Sequence, residues 1–369
     1  MTDPSIPLDP PDASSELDAS PHPDAHVSAF NRGAWTEPAT EQVAPGVHRI
    51  PLPLPGDGLK AVNIYAIEQP DGLVLIDSGW AIGGAREQLE EGLGRVDRDL
   101  GDITRFLVTH AHRDHYELGL KLRKIYGMKV SLGIGEQPSV VALLDPPSPQ
   151  DSPVRARLWR AGAHDLMERM RIARENRPHI PVEWGLPDEW LEGNPTIELD
   201  GRSLEAIATP GHTQGHVVFL DRANNLLFAG DHVLPHITPS IGFEQALTRS
   251  MLADYLDSLA IVKGLPDTRL LPAHGPVQAR THERVDELLS HHDERLALSL
   301  AAVRDGASTG WEVAVKLPWT SRHRSMADLD PFNAMLATNE TVAHLDVLVD
   351  RGELTAALDD DGIERYAIA

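Results

Sequence analysis

Short runs of apolar residues recur along the chain, and several end at a turn that carries histidine or aspartate. Leu73-Val74-Leu75-Ile76 leads into Asp77-Ser78-Gly79, and Phe106-Leu107-Val108 leads into Thr109-His110-Ala111-His112-Arg113-Asp114-His115. Leu204 to Ala208 precedes Pro210-Gly211-His212-Thr213-Gln214-Gly215-His216. Leu226-Leu227-Phe228-Ala229 precedes Gly230-Asp231-His232, and Leu270-Leu271 precedes Pro272-Ala273-His274-Gly275-Pro276. Such runs are too short for helices and lack helical spacing, so they read as buried strands. Glycine after a strand lets the backbone turn sharply, and a strand end is a rigid place to mount a side chain.

Further strands are expected at Val47 to Pro53, Ala61 to Glu68 and Lys129 to Leu132. Helical stretches at 81–94 and 114–125 fall between strands, which predicts a layered α/β fold. Residues 146–194 are irregular, opening on Pro146, Pro147 and Pro149 before a helical stretch near 152–176. From residue 279 the pattern changes to helices. Val285, Leu288, Leu289, Leu296, Leu298 and Leu300 mark one over 279–304, a short one begins at Gly310, and another spans 333–351. Residues 353–369 read as a hairpin turning at Asp359-Asp360-Asp361-Gly362. The expected organisation is an acidic, disordered tail over 1–28, a catalytic domain over 29–280 with 146–194 as a lid insertion, and a small module over 281–369.

Composition narrows the chemistry. Cysteine is absent among the 369 residues, so disulfides, thiolate ligands and a cysteine nucleophile are excluded. Any metal site must be built from nitrogen and oxygen, which suits zinc and also iron or manganese. No run is long and apolar enough to suggest a membrane span, and the N-terminus lacks the basic-then-apolar layout of a signal peptide. A cytoplasmic enzyme without membrane association is the expectation. The net charge of −23 repels polyphosphate and weighs against nucleic acid as partner or substrate. One basic stretch stands apart: Arg155, Arg157, Arg160, Arg169, Arg171, Arg174 and Arg177, opposed only by Asp165, Glu168 and Glu175. It reads either as a lid that meets an anionic substrate group or as a solvated face, with an oligomer contact such as a homodimer also allowed.

The densest signal is His110, His112, Asp114 and His115 within six positions. Alternate residues of an extended segment project to one side, so His110 and His112 can grip one ion, while Asp114 and His115 can point at a second. The five turn segments, in this order, resemble the metallo-β-lactamase superfamily, with glyoxalase II-like motifs and an αββα sandwich. The resemblance spans about residues 43–280. It implies His110, His112 and His212 as ligands of one divalent ion, Asp114, His115 and His274 as ligands of another, and Asp231 as the bridge. Zinc is the expected ion in both places. Asp77 and His216 would lie behind the ligands, with Asp77 orienting them. The C-terminal part resembles the small winged-helix domain of one branch of that superfamily. It carries 8 Lys/Arg against 17 Asp/Glu, so it is expected to pack or dimerise rather than read nucleic acid.

The resemblance implies hydrolysis by a hydroxide bridging the two ions, with Asp114 and Asp231 as the catalytic carboxylates. A small-molecule thioester, or another activated ester or lactone, is the leading substrate class. A metal-dependent endoribonuclease and a non-hydrolytic di-metal protein are the alternatives. Arg155, Arg169, Arg171, Arg174, Tyr116 and His236 are the candidate substrate contacts.

Overall fold

The apolar runs pair into two sheets. The first holds β1 (Glu41–Ala44), β2 (Val47–Pro53), β3 (Ala61–Gln69), β4 (Gly72–Ile76), β5 (Ile103–Val108), β6 (Lys129–Gly133) and β7 (Glu189–Leu191), in that spatial order. Its β1 to β4 half is antiparallel and its β4 to β7 half parallel. The second sheet has the order β12 (Arg269–Pro272), β11 (Leu226–Gly230), β10 (Val217–Asp221), β9 (Arg202–Ala208) and β8 (Thr196–Leu199). The computed structural model describes residues 34–55, 58–146, 148, 151–175, 182–246, 251–319 and 325–369, without the side chains of Ala34, Arg174 and Glu175. The acidic tail over 1–28 and Arg177 lie outside the described residues.

The two sheets face each other across one apolar layer. Tyr65, Ile67, Val74, Ile76 and Leu107 of the first meet Leu204, Ala206, Phe219, Phe228 and Leu271 of the second. Strand residues alternate faces, so the same strands supply a second set of apolar side chains outward. On the first sheet these are Leu73, Leu75, Phe106 and Val108, covered by α1 (Ala85–Gly94), α2 (Arg113–Tyr126) and α3 (Gln137–Leu144). On the second they are Ile207, Val218, Leu220, Leu227 and Leu270. The result is a four-layer α/β sandwich in which both sheets are buried on two faces.

The helical layer over the second sheet contains α4 (Pro153–Arg160), α5 (His164–Glu175), α6 (Met251–Gly264), α7 (His282–Arg304), α8 (Gly310–Lys316) and α9 (Pro331–Asp350), with the hairpin β13 (Leu354–Leu358) and β14 (Glu364–Ile368). These elements share one core. Leu158 and Leu166 from the arginine-rich stretch are buried with Tyr255 of α6, Leu296 of α7 and Ala334 and Leu345 of α9. The expected helix near 152–176 is two helices, broken at Gly162, which takes φ 76°. α9 begins where Asp330 accepts from the amides of Phe332 and Asn333 and Pro331 supplies a preset first turn. Among the described residues no helix is long and apolar enough to cross a membrane.

Strand direction decides where the chemistry collects. β4 and β5 are parallel, and β9, β11 and β12 share one direction because β10 is antiparallel to both β9 and β11 while β11 and β12 are parallel. The five turns therefore leave the C-terminal ends of their strands. The sheets are tied together there by backbone bonds, Val217 N–H to Thr109 O at 2.9 Å and Asn63 N–H to Ala273 O at 2.7 Å.

One close approach depends on glycine. The turn after β6 lies directly on the turn that carries His212 and His216. A Cβ on Gly215 would stand 1.9 Å from the Glu136 nitrogen, and one on Gly133 would stand 2.2 Å from Gly215 O. Backbone cannot yield as a side-chain tip can. Gly215→Ala is expected to cost about 2–3 kcal/mol and lower the thermal midpoint by several degrees. Gly94→Ala, on the exposed side of α1 with nothing within 4 Å of the new methyl, is expected to be neutral or to stabilise by about 0.5–1 kcal/mol. Equal loss in both variants, measured by calorimetry, would contradict the packing account.

Candidate metal centre

Among the described residues, two groups of side chains have ligand atoms within 4.8 Å of one another: His110, His112, His212 and Asp231 in one, Asp114, His115 and His274 in the other. Asp231 faces both. Its Oδ2 lies 3.5 Å from His212 Nε2, and its Oδ1 lies 3.6 Å from His115 Nε2 and 3.3 Å from His274 Nε2. Asp114 Oδ2 lies 3.6 Å from His115 Nε2 and 3.3 Å from His274 Nε2. The structure thus brings together all seven residues that the sequence singled out as ligands.

Which nitrogen each ring turns inward follows from the bond on its other side. His212 Nδ1 donates to Ser240 O at 2.7 Å, His274 Nδ1 to Ala61 O at 2.7 Å, and His112 Nε2 to Phe243 O at 2.9 Å. His115 Nδ1 donates to Asp77 Oδ2 at 2.9 Å. The Thr109 hydroxyl donates to Asp77, so it accepts from His110 Nδ1 at 3.1 Å. Every ring therefore has its outward nitrogen engaged and turns its other nitrogen inward. His110 Nε2 and His212 Nε2 stand 3.0 and 3.1 Å from His112 Nδ1, lone pair against lone pair. The inward atoms of the second group, His115 Nε2, His274 Nε2 and Asp231 Oδ1, are buried without a hydrogen-bond partner. A cation between such atoms removes both the repulsion and the desolvation cost. The all-N/O donor set, three imidazoles facing one carboxylate oxygen in the first group and mixed imidazole and carboxylate in the second, fits a pair of divalent ions.

The electrostatics agree with that fit. Burial and the neighbouring rings hold His110 well below the ordinary histidine range, and burial with His112 lowers His212 to about 4. Around the second group the sign reverses. Burial opposes it, yet Asp114, Asp77 and Asp231 push His115 up to about 10. That group is built to hold positive charge.

Asp77 sits at the end of β4 with φ 61°, a strained conformation for a non-glycine residue. Its carboxylate holds His115, the Thr109 amide and the Thr109 hydroxyl at once. His216 belongs to neither group. Its Nδ1 is bonded to Thr209 Oγ1 at 2.9 Å, and its Nε2 accepts from the Asp231 amide at 3.2 Å, so it holds the bridging residue by its backbone. His232 is buried with its ring 5.2 Å from that of Tyr255 and takes no place among the ligands.

The remaining candidates are placed differently. Tyr116, read as a substrate contact, is fully buried and donates its hydroxyl to Gly185 O at 2.8 Å, so it holds the 185 segment. His236 is exposed beside Gly275. Arg155 is exposed, Arg169 donates to Leu329 O at 2.6 Å, and Arg171 pairs with Glu168 within α5. Arg157 and Arg160 reach Asn339 O and Glu364, and the Arg174 side chain lies outside the described residues. The contacts of Arg157 and Arg160 tie α4 to α9 and the C-terminal hairpin, and that of Arg169 ties α5 to the segment just before α9.

Two glutamates escaped the sequence reading. Glu136 is buried and accepts from Thr213 Oγ1, and burial pushes its carboxyl up to about 8. Glu244 accepts from Ser139 Oγ at 3.0 Å and from the Gln214 amide at 3.2 Å, and burial pushes it up to about 7. Both brace the turn that carries His212. A lone glutamate beside a glutamine, in no recognisable motif, offers no signal of that role.

Comparison with known proteins agrees with this geometry. Residues 57–274 match the metallo-beta-lactamase superfamily, and residues 322–369 match the metallo-beta-lactamase-like C-terminal domain. The chain is 26% identical to a beta-lactamase domain protein from Burkholderia ambifaria, with TM-score 0.71 over 89% of this chain and 94% of that one. It is 25% identical to a metallo-beta-lactamase family protein from Thermus thermophilus, with TM-score 0.68 over 89% of this chain and all of the other. A curated relative, Beta-lactamase-like protein 2 homolog of Caenorhabditis elegans, is 39% identical over 99 residues, which span 27% of this chain and 31% of that protein. With the superfamily match covering more than half of its residues, the chain belongs to the metallo-beta-lactamase superfamily.

Proposed function

We propose that the protein is a di-metal hydrolase of thioesters or comparably activated esters and lactones. The observation that carries this reading is Asp231, whose two carboxylate oxygens face different ligand groups. His110, His112 and His212 would hold one divalent ion, Asp114, His115 and His274 the other, and Asp231 both. Zinc suits the donor set best. When bound, such ions lower the pKa of water toward neutrality and polarise a carbonyl oxygen.

The chain's own residues contribute position and charge. The outward N–H groups keep the five rings from turning, so the donor atoms need no rearrangement to bind. The leaving group sets the next demand. An alkoxide or an amine requires a proton, but the second nitrogen of every ligand imidazole is already committed to Ser240 O, Phe243 O, Ala61 O, Thr109 or Asp77. A thiolate departs without protonation, which favours thioesters.

The C-terminal helices and hairpin are read as a winged-helix-like module. Its excess of acidic residues argues for a packing role, and for a small-molecule substrate over RNA. A homodimer through the helical layer is compatible with this reading.

Zinc-loaded protein is expected to release thiol from acyl-CoA or acyl-glutathione substrates, and Asp231→Asn to lower that turnover by at least about 100-fold while the fold persists. Thioester turnover that survives in Asp231→Asn would sink the mechanism. Chelation is expected to remove about two equivalents of metal and to lower the thermal midpoint, with both restored by added zinc. A midpoint indifferent to chelator and zinc would contradict the ligand assignment.

A further inference from the structure

Two of the outward bonds that orient the first ligand group end on one short strap, residues 240–243. Ser240 O accepts from His212 Nδ1 and Phe243 O from His112 Nε2. Between them lies Gly242, in a left-handed conformation with φ 87°. Its carbonyl is held from the far side by Asn339 Nδ2 at 3.1 Å, and a Cβ on Gly242 would stand 3.3 Å from Asn339 Cβ. Asn339 is wholly buried in the middle of α9, and its backbone carbonyl accepts from Arg157 of α4 at 3.3 Å. At the start of the same helix, the Phe332 ring meets Phe243 edge-on with centroids 5.4 Å apart. The strap is thus pinned to α9 at two points.

Asn339 Oδ1 is buried with no hydrogen-bond partner, so the side chain leaves half of its polar capacity unmet. An apolar residue would fill an interior helix position without that cost. What the amide adds is one donor, aimed at the strap.

We propose that Asn339 is a positioning residue for the metal centre, acting through the 240–243 strap on the orientation and tautomer of His112 and His212. This rests on the reading of His110, His112 and His212 as metal ligands. The physical path is short. If Gly242 O loses its partner and the strap shifts, Phe243 O leaves His112 Nε2. The His112 proton is then free to move to Nδ1, the atom that faces His110 and His212. The C-terminal module becomes part of the metal centre, although none of its residues is a ligand.

The test is Co(II) binding to full-length protein on an Asp114→Ala background, so that the ion reports on the first group. Affinity is read by chelator competition and geometry by the visible d–d spectrum. Asn339→Leu is expected to weaken Co(II) binding by about 10-fold or more and to change the spectrum. Thr341→Val is the control. Thr341 is equally buried in α9 but its hydroxyl donates to Ala337 O of its own helix, so its change to valine is expected to leave affinity and spectrum unchanged. If Asn339→Leu does not fold, Phe332→Ala asks the same question from a half-exposed position and is expected to give a smaller change of about 3-fold with the same spectral direction. Unchanged affinity and spectrum in the folded strap variant, or an equal change in Thr341→Val, would overturn the inference while leaving the ligand assignment intact. Failure of the Asp114→Ala background itself to bind Co(II) would overturn both.

Discussion

Imidazole lone pairs facing one another at 3.0–3.1 Å repel, and the whole centre is organised to keep them there. The restraint is applied from behind. Each ring is fixed by a bond made on the side away from its ligand atom, to a backbone carbonyl, a threonine or Asp77. Each such bond is worth on the order of 1 kcal/mol or a little more in stability. Their larger effect is to select one tautomer per ring and exclude rotation. The fold stores this arrangement in parts that cannot relax cheaply: the strained Asp77, the glycine contact between residues 133 and 215, and the strap held by α9.

The sandwich explains how so scattered a ligand set can be held. The seven candidate ligands come from four strand ends in two sheets, and backbone bonds such as Val217 to Thr109 fix the sheets to each other beside the site. Buried apolar layers on both faces of each sheet keep the strand ends in register. The helical layer then does more than cover the second sheet. α9 reaches the metal centre through Asn339, and the arginines of α4 and α5 secure that layer by bonding to Asn339 O, Leu329 O and Glu364.

Much of this was legible in the sequence, and for a physical reason. Ligand side chains must be histidine or aspartate, and strand ends must follow apolar runs, so the turns at 77–79, 109–115, 210–216, 230–232 and 272–276 announced themselves. The long helix at 282–304 and the hairpin at 354–368 were equally visible through apolar spacing and a turn signal. The short β7, and α3 and α6, were not, since they carry weak or no amphipathic contrast. The outward bonds were invisible because most end on backbone carbonyls, which any residue supplies. The arginine-rich stretch stayed open between two readings for a related reason. A run of positive charge marks an anion site and a buried anchor alike, and only the partner, 160 or 182 residues away in the chain, tells them apart.

These inward-facing atoms are expected to hold two ions bridged by Asp231. Anomalous diffraction at the zinc edge, on crystals grown with zinc, tests it directly. Two peaks are expected roughly 3.5–4 Å apart, one among His110, His112 and His212 and one among Asp114, His115 and His274, with Asp231 between them. A single peak, or two peaks elsewhere with the five rings still unliganded, would contradict it.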